Sequence, residues 1–347
     1  MDKANFRQMK PEDGEKIAQL CKASPDTGSF SYYPDFKINP YDGLSSQYPN
    51  HVGVVAEIDS YDGLIGVGDS IFGECFFNGE IRKFAFLKAY HVHSGFRRYK
   101  VGTGIDQFLV KNAHEKMGNN VLMLGSVQTK NVPQLSMILK SSGWVPHTRF
   151  YSGVFDFCSK PPLVNAKFEV NKACKNDLET ISSRLNEFYK NYNLYEPQTP
   201  ESLDSWISNP LFSEPFCHYY VVMDKNKNIL AGIGIIEEYR VRTFVVCDIP
   251  FTTKIINIAL KIIPKNKIIR QLIASKIWFD NNHRDAADYL FKTIRWEWRQ
   301  KADVLICHYD PRSPLAEVLQ LPKWRPKVEY FVMTLEQMND QLIYPII

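Results

Sequence analysis

One long strand pattern in this sequence turns through cations and glycines directly into a helix. The strand runs from Ile81 to His93, Arg97 and Arg98 follow it, and an apolar helical stripe begins at Gly102-Thr103-Gly104. The first N–H groups of a helix have no intrahelical acceptors and lie at the positive end of the helix dipole. The sequence therefore predicts an α/β arrangement in which a strand leads into an anion-binding helix start.

The same turn has a plainer interpretation, in which the glycines only reverse the chain and the cations are solvated. Two other phosphate-binding motifs are excluded. A P-loop needs GK[ST] after a longer glycine loop, which this chain lacks. A dinucleotide fingerprint needs an early βαβ unit, whereas antiparallel hairpin signals precede this strand.

Composition narrows the class of protein. The length of 347 residues suits two domains. The net charge of +4 comes from 42 basic and 38 acidic residues, a balance that argues against a general nucleic-acid binder. Its seven cysteines stand singly, so neither a disulfide framework nor a zinc ribbon is indicated. We expect no metal site, and we expect a cytoplasmic protein because the first residues lack a signal-peptide pattern.

A polar, proline-containing linker from Cys158 to Ala166 divides the chain into predicted domains 1–160 and 161–347. The order of elements near the end of each domain is similar. Both 119–157 and 302–335 give a buried strand, a polar loop with a proline, a short helix, a tryptophan and a closing strand. This recurrence predicts a divergent internal duplication.

Three local patterns give further expectations. Asn78-Gly79 between apolar runs predicts a β-hairpin. Ile229–Val246 reads as one continuous strand. Thr252–Ile273 mixes apolar residues with several cations. A membrane-surface helix has this composition, but a core-facing helix whose lysines extend to solvent is the preferred interpretation, and no membrane partner is expected.

The segment Val92–Gly102, VHSGFRRYKVG, resembles the V-x-P-x-[YF]-R-[RG]-x-G-[IV]-G signature of the GNAT superfamily of acyl-CoA-dependent N-acetyltransferases. Asn131 begins NVPQLSMILKSSGW, which is similar to the family's N-x-x-[AS]-…-G-[FW] segment. The resemblance extends in element order over Phe6–Phe157. The second half resembles another such unit without its glycine loop. Element order is also similar to that of plant hookless-type putative acetyltransferases.

The resemblance implies an α/β (α+β mixed sheet) fold of two GNAT-like domains. Each would be a mostly antiparallel twisted sheet flanked by helices, with the second degenerate. It implies acetyl-CoA as co-substrate. Its diphosphate would be held by backbone amides and cations, and its pantetheine arm by strand backbone. An asparagine would contact either the arm or the diphosphate side. The residues implied are Val101, Gly102, Thr103, Gly104, Arg97, Arg98, Tyr90, Val92 and Asn131.

Three positions depart from the family pattern. Lys100 replaces the first motif glycine, so the site is either weakened by a less close backbone approach or strengthened by an added ammonium. The tyrosine that often serves as general acid is absent from 138–140. Phe86 stands where several members carry a glutamate on the strand.

For amide formation we expect a base, an oxyanion donor and an amine acceptor. His91 is the first candidate base and His93 and Glu74 are further candidates, with a water relay as an alternative. The Val92 N–H is the candidate donor. The acceptor would be a primary amine on a small molecule or a peptide. Two rivals remain at this point: a non-catalytic acyl-CoA sensor or scaffold, and a nucleic-acid-associated protein using Arg97, Arg98 and the Trp296 helix.

Overall fold

The structure is a computed structural model that describes residues 3–27, 30–141, 143–260, 263–322, 325 and 327–346. The first half of the chain contributes the strands β1 (Asn5–Gln8), β2 (Asp26–Thr27), β3 (Ser31–Phe36), β4 (His51–Ile58), β5 (Tyr61–Phe77), β6 (Glu80–Val92), β7 (Leu122–Gln128) and β8 (Val145–Phe155). Its helices are α1 (Gly14–Ala23), α2 (Pro40–Gln47), α3 (Val101–Met117) and α4 (Val132–Ser141). The Asn78-Gly79 hairpin is confirmed as the turn between β5 and β6.

The second half follows the same plan with one long insertion. Its strands are β9 (Glu169–Lys172), β10 (Tyr192–Asn193), β11 (Cys217–Met223), β12 (Ile229–Ile236), β13 (Arg242–Asp248), β14 (Ile268–Ile269), β15 (Gln271–Phe279), β16 (Val304–Tyr309), β17 (Lys327–Thr334) and β18 (Leu342–Ile343). Its helices are α5 (Leu178–Tyr189), α6 (Pro200–Ile207), α7 (Glu238–Val241), α8 (Phe251–Leu260), α9 (Arg284–Glu297) and α10 (Leu315–Leu319).

The two halves share one twelve-stranded sheet, in the order β1-β4-β5-β6-β7-β17-β8-β16-β15-β12-β11-β9. The closing strands are exchanged between the halves. The first half's β8 pairs with β16 of the second half, and the second half's β17 pairs with β7 of the first. At the centre, β8 and β17 pair with each other. Both halves are therefore needed to complete the sheet, and the predicted division at residue 160 stays a prediction.

An internal repeat is visible in the register of the sheet. In the first half, β6 and β7 run parallel until the pair Leu87–Gly125. In the second half, β15 and β16 run parallel until the pair Ala274–Cys307. Two residues later each long strand passes through a left-handed residue, Ala89 (φ 55°) or Lys276 (φ 50°). The remaining pairs in this sheet are antiparallel, so the predicted mixed α/β class is confirmed.

The main helices cover the sheet through apolar stripes. Ile105, Leu109 and Ala113 of α3 are completely buried against residues of β4, β5 and β6. Helix α1 packs Ile17 and Leu20 on the opposite face of β4 and β5. In the second half, α9 buries a comparable stripe against β12 and β15. The sheet is thus buried on both faces, as its near-continuous apolar strands require.

The predicted continuous strand from Ile229 to Val246 is wrong. The chain leaves β12 after Ile236, passes through the short helix α7 and continues as β13 in another sheet. That four-stranded sheet has the order β14-β13-β3-β2 and pairs β13 with β3 of the first half. The buried Glu238 accepts a hydrogen bond from Arg242 at 2.6 Å, an ion pair that fixes the corner between the two sheets.

The preferred core-facing interpretation of 252–273 is also wrong for the part of α8 whose side chains are described. Phe251, Ile255 and Ile258 are 76%, 54% and 77% exposed. Among the described side chains of α8, Asn257 points inward; its side chain donates to the Ile263 carbonyl and accepts from the Ile263 amide. The three described apolar side chains therefore face away from the protein body.

The two glycines at the start of α3 have a packing role that the sequence did not indicate. A Cβ at Gly104 would lie 2.1 Å from the ring of Phe6 on β1. A Cβ at Gly102 would lie 2.9 Å from the sulfur of Met137 on α4. The missing side chain of Gly104 thus leaves room for the rigid ring of Phe6, whereas Gly102 contacts the end of the flexible Met137 side chain.

We predict that Gly104→Ala lowers the free energy of unfolding by about 1–3 kcal/mol, because the methyl group overlaps the Phe6 ring. Gly102→Ala is the matched control, since Met137 can shift and alanine favours a helix by about 1 kcal/mol. Urea denaturation measures both. Combining Gly104→Ala with Phe6→Ala should remove most of the added cost of the alanine. Equal losses for the two glycine variants would contradict the packing argument.

Candidate functional site

A gap in the large sheet lies beside the last residues of β6. The parallel pairing of β6 with β7 stops at Leu87–Gly125. Beyond that point β7 continues against β17, while β6 stays with β5 on its other side. Within the described chain, no strand pairs with the β7-facing edge of 88–92. This edge can accept an extended ligand in the manner of an added strand.

The backbone of β6 is bent where the gap begins. The register with β5 shifts at this point, and Ala89 adopts a φ of 55°. After the bend, the His93 amide donates to the Ile65 carbonyl of β5 at 3.0 Å. Because successive amides of a strand point to opposite sides, the Val92 N–H points away from β5 and into the gap. This is the placement that an oxyanion donor needs.

Unpaired helix amides follow the gap directly. Lys100 caps α3 in the left-handed region (φ 61°, ψ 15°). The Gly104 amide donates to the Lys100 carbonyl at 2.9 Å. The sequence predicted four available amides in 101–104, and this hydrogen bond removes one of them. For the amides of Val101, Gly102 and Thr103, no acceptor exists among the described residues. Three N–H groups therefore remain to bind an anion.

Exposed cations precede these amides. Arg97, Arg98 and Lys100 are all exposed, and no carboxylate of the described chain forms a salt bridge with them. Together with the helix dipole they make this loop the positively charged end of the gap.

A cavity of about 410 Å³ passes through the gap and has walls on both faces of the sheet. The wall on the α3 side, here called the α3 wall, includes Tyr90, Asp106, Gln134, Ile138 and Trp144. The wall on the α1 side, the α1 wall, includes Met9, Cys21, Tyr48, Asp69, Lys88 and His91. The second half contributes Glu238, Arg242, Phe244 and Ile273. The cavity therefore connects two separate approaches to the bend in β6.

The α3 wall contains a polar pair that the sequence did not reveal. The Tyr90 hydroxyl donates to Asp106 Oδ1 at 3.0 Å. Burial, followed by the neighbouring carboxylate, raises the pKa of Tyr90 well above its usual value. The phenol therefore keeps its proton, which it donates in the hydrogen bond to Asp106.

The α1 wall contains His91 and a second histidine system behind Asp69. The His91 Nε2 is engaged with the Ser24 carbonyl at the end of α1. His51 Nδ1 lies 3.2 and 3.3 Å from the two carboxylate oxygens of Asp69, and its Nε2 lies 2.9 Å from Ser45 Oγ. Asp69 is only 1% exposed. Sequence reasoning missed this system because its members lie 18 and 24 positions apart.

Of the predicted site residues, Tyr90 and His91 line the cavity, whereas Val92, the predicted residues of 97–104, Glu74 and Asn131 do not. Glu74 is exposed and pairs with Lys83, far along the hairpin from the bend. Asn131 stands before α4, where its side-chain oxygen accepts from the Gln134 amide at 3.3 Å and its amide group donates to the Gln134 side chain at 2.9 Å. Asn131 thus orients α4 and Gln134, and Gln134 lines the cavity.

The equivalent gap in the second half is filled by the chain itself. Tyr344 inserts its hydroxyl, which accepts from the Lys276 amide at 3.4 Å. Tyr189 donates to the Ile277 carbonyl. The segment around β18 is held by β10, and only about 50 Å³ of cavity remains. The strand edge that is open in the first half is therefore covered in the second.

The helix start in the second half also lacks an anion site. The loop amides of Asn282 and His283 donate to Asp280, through its carboxylate at 3.0 Å and its carbonyl at 2.8 Å. Arg284 is paired with Glu317. A carboxylate at this helix start repels an anionic ligand, which agrees with the predicted degeneracy of the second half.

Comparison with known proteins identifies the fold. No family model matches this sequence, and no curated protein matches it. Saccharomyces cerevisiae N-myristoyltransferase with bound myristoyl-CoA is similar in structure, with a TM-score of 0.64 at 10% identity over 96% of this chain and 83% of that chain. A tandem GNAT protein from the clavulanic acid biosynthesis pathway gives 0.60 at 9% identity, over 97% and 100%.

A GCN5-related N-acetyltransferase from Kribbella flavida is a further match, with a TM-score of 0.51 at 11% identity over 95% of this chain and 71% of that chain. At these identities the matches establish the fold. The predicted tandem GNAT-type architecture is therefore confirmed over nearly the whole chain.

We predict that Lys100→Gly raises the free energy of unfolding by about 0.5–1 kcal/mol, because glycine adopts the left-handed conformation without the steric cost that lysine carries. Lys100→Ala is the control, since it removes the same charge and keeps the same backbone cost. Urea denaturation distinguishes them. An equal gain from both variants would show that relief of repulsion among Arg97, Arg98 and Lys100 is responsible instead.

Proposed function

We propose that this chain is an N-acyltransferase that moves an acyl group, of which acetyl is the simplest, from acyl-CoA to a primary amine. The observation that carries the proposal is the continuity of three features of the first half. The unpaired edge of β6 lines the cavity from Lys88 to His91, and it ends at Val92, whose side chain lies close to Gly102 among the three available amides of α3. An extended thioester with a diphosphate at one end matches this arrangement.

Different groups of residues in the first half fit different parts of acyl-CoA. The amides of Val101, Gly102 and Thr103 would hold the diphosphate, with Arg97 and Arg98 beside them. The backbone of Tyr90 and Val92 would pair with the amide groups of the pantetheine arm. When bound, the co-substrate supplies an activated thioester carbonyl at the bend of β6. The acceptor amine would enter along the α1 wall, from the other side of the sheet.

The chain's own groups would lower the barrier in two ways. A backbone N–H such as that of Val92, aimed at the developing oxyanion, contributes about 3 kcal/mol. An alkylamine with a pKa near ~10.4 must lose a proton before it attacks, which costs roughly 4–5 kcal/mol at neutral pH unless a base accepts the proton. The α1 wall is where such a base has to lie.

We propose direct attack within a ternary complex. Cys21 lines the cavity, so a thiol stands closer to the site than sequence spacing indicated. Burial raises the pKa of this thiol to about 12. It is therefore protonated and weakly nucleophilic at neutral pH, which argues against a covalent acyl-cysteine step.

We predict that the chain binds acetyl-CoA with a stoichiometry of one, because the gap of the second half is filled by Tyr344. Isothermal titration calorimetry measures both stoichiometry and affinity. Thr103→Pro removes one of the available amides in the first helical turn, where proline is tolerated. It should raise the dissociation constant about 10-fold or more. Thr103→Ala keeps the amide and should stay within about threefold of the original chain.

Turnover separates the proposal from its main rival. A panel of primary amines, including short peptides, is incubated with acetyl-CoA and longer acyl-CoAs, and thiol release and acylated product are both quantified. Product formation supports the transferase. Tight binding without product on any amine would identify an acyl-CoA sensor, and absence of acyl-CoA binding would overturn the whole proposal.

A further inference from the structure

We infer that Asp69 is the general base of the proposed acyl transfer, with His51 as the residue that positions it. This inference rests on the proposed function and adds a residue role to the same site. Its starting point is a carboxylate that is 1% exposed, lines the cavity and faces the side of the sheet from which the acceptor enters.

The location of Asp69 relative to the bend follows from the strand register. Asp69 on β5 is paired with Lys88 on β6, directly before the shift that contains Ala89. Its two neighbours in alternation, Val67 and Ile71, belong to the clusters on the α1 face, whereas Gly68 faces α3. Asp69 therefore lies one strand away from the acyl position, on the acceptor side of the sheet.

Hydrogen bonds hold the Asp69 carboxylate in one orientation. They leave one of its oxygens able to accept a proton. Oδ1 accepts from the Ser70 amide at 2.7 Å and from His51 at 3.2 Å. Oδ2 receives only the longer contact from the same histidine nitrogen, at 3.3 Å. His51 Nε2 lies 2.9 Å from the Ser45 hydroxyl oxygen. Both ring nitrogens of His51 thus have hydrogen-bond partners, and Oδ2 of Asp69 retains lone pairs.

Other charged and titratable groups share this environment and would influence its pH response. Lys88 is drawn aside, with its ammonium 4.1 Å from the centroid of the Tyr48 ring. The groups that contact Asp69 or line the same cavity on the acceptor side are His51 from β4, Lys88 and His91 from β6, Cys21 from α1, Asp26 from β2, Tyr32 from β3, Tyr48 after α2, and Glu238 with Arg242 from α7 and β13.

The step balances without a further reactant. Asp69 takes one proton from the substrate ammonium. The amine nitrogen then forms a C–N bond to the thioester carbon, and the C–S bond breaks with its electron pair on sulfur. The second proton of the nitrogen passes to the thiolate. The products are an amide and a thiol, and the proton on Asp69 is later released to solvent.

Asp69 meets the requirements of a base better than His91 and Glu74. His91 Nε2 is already hydrogen-bonded to the Ser24 carbonyl. Glu74 lies on the same strand as Asp69 but is exposed and away from the cavity. Glu74→Gln therefore serves as the matched control for Asp69→Asn.

The test uses the full chain and an amine that the original chain acylates. Asp69→Asn should lower kcat about 100-fold or more while the acyl-CoA dissociation constant stays within about threefold. In Asp69→Asn, the part of the acid limb of kcat/KM that belongs to the base should disappear, which leaves only the rise in rate with pH that follows deprotonation of the amine in solution. Trifluoroethylamine, unprotonated at neutral pH, should restore most of the lost rate. The control variant Glu74→Gln should stay within about fivefold of the original chain.

His51→Gln should give a smaller loss in kcat and a shifted acid limb, as expected of a positioning residue. Unchanged melting temperatures exclude misfolding as the cause. Suppose the original chain is active. If the Asp69→Asn variant then keeps its rate and pH profile, or loses as much rate with trifluoroethylamine as with the first amine, the role of Asp69 is overturned but the proposed function is not. An original chain that acylates no amine would overturn the proposed function, and the base assignment with it.

A second observation, independent of any activity, concerns α8. We propose that the apolar patch of Phe251, Ile255 and Ile258 docks on an anionic lipid surface. These three residues fall within about 60° on the helix, with the exposed Lys254 at their flank. Lys265 and Lys267 follow on the exposed loop, and 249–271 contains no acidic residue.

The positive charge around the patch favours an anionic lipid surface, rather than another protein, as its binding partner. No salt bridge engages Lys254, Lys265 or Lys267 among the described residues, so their charges are available to anionic headgroups. An amphipathic helix with a cationic rim lies in the membrane interface rather than across it. In agreement, no described helix is long and apolar enough to span a bilayer.

Vesicle sedimentation tests this. The full chain should bind phosphatidylcholine vesicles containing phosphatidylglycerol, bind pure phosphatidylcholine vesicles at least fivefold more weakly, and lose binding in high salt. Replacing Phe251, Ile255 and Ile258 by serine should lower partitioning at least 10-fold. Leu163→Ser with Val164→Ser, at 93% and 94% exposed positions of the linker, is the control. No binding to anionic vesicles, or an α8-dependent dimer in solution, would overturn the proposal.

Discussion

The bend at Ala89 is the feature on which the candidate site depends. Up to Leu87 the sheet is a continuous hydrogen-bonded surface, and beyond it β6 and β7 take different partners. A strand edge without a partner is normally a liability. Here the edge lies between α3 and α1 and lines a cavity that a ligand can enter. The cavity, the Val92 N–H and the walls all follow from that separation.

The two halves show what the same backbone does with different side chains. Lys276 repeats the left-handed residue of Ala89, and β15 and β16 part at the equivalent position. In the second half a lysine occupies the bend, and burial lowers its pKa to about 8 although Glu196 raises it. Tyrosines then cover the backbone groups. The repeat has kept its geometry, while its interior has changed from ligand space to protein core.

Sequence reasoning predicted local features well and contacts between distant segments poorly. The hairpin at Asn78-Gly79, the helix from Val101 and the repeated element order are short-range patterns, and the structure has them. The exchange of β8 and β17 has no local signal, because either strand satisfies its apolar pattern with any partner. Asp69 did leave a trace, as a carboxylate within the apolar run of 64–72, but its partner His51 is found only through the fold.

The exchanged closing strands also bear on how the chain is made. On a ribosome, the first half emerges with β7 lacking its neighbour, because β17 is synthesised some 170 residues after β8. Until then β8 has neither β16 nor β17 to pair with. The nascent first half must therefore wait with exposed strand edges, and its sheet is completed only after β17 has been made. Newly made chains of this architecture would depend on chaperones during that interval.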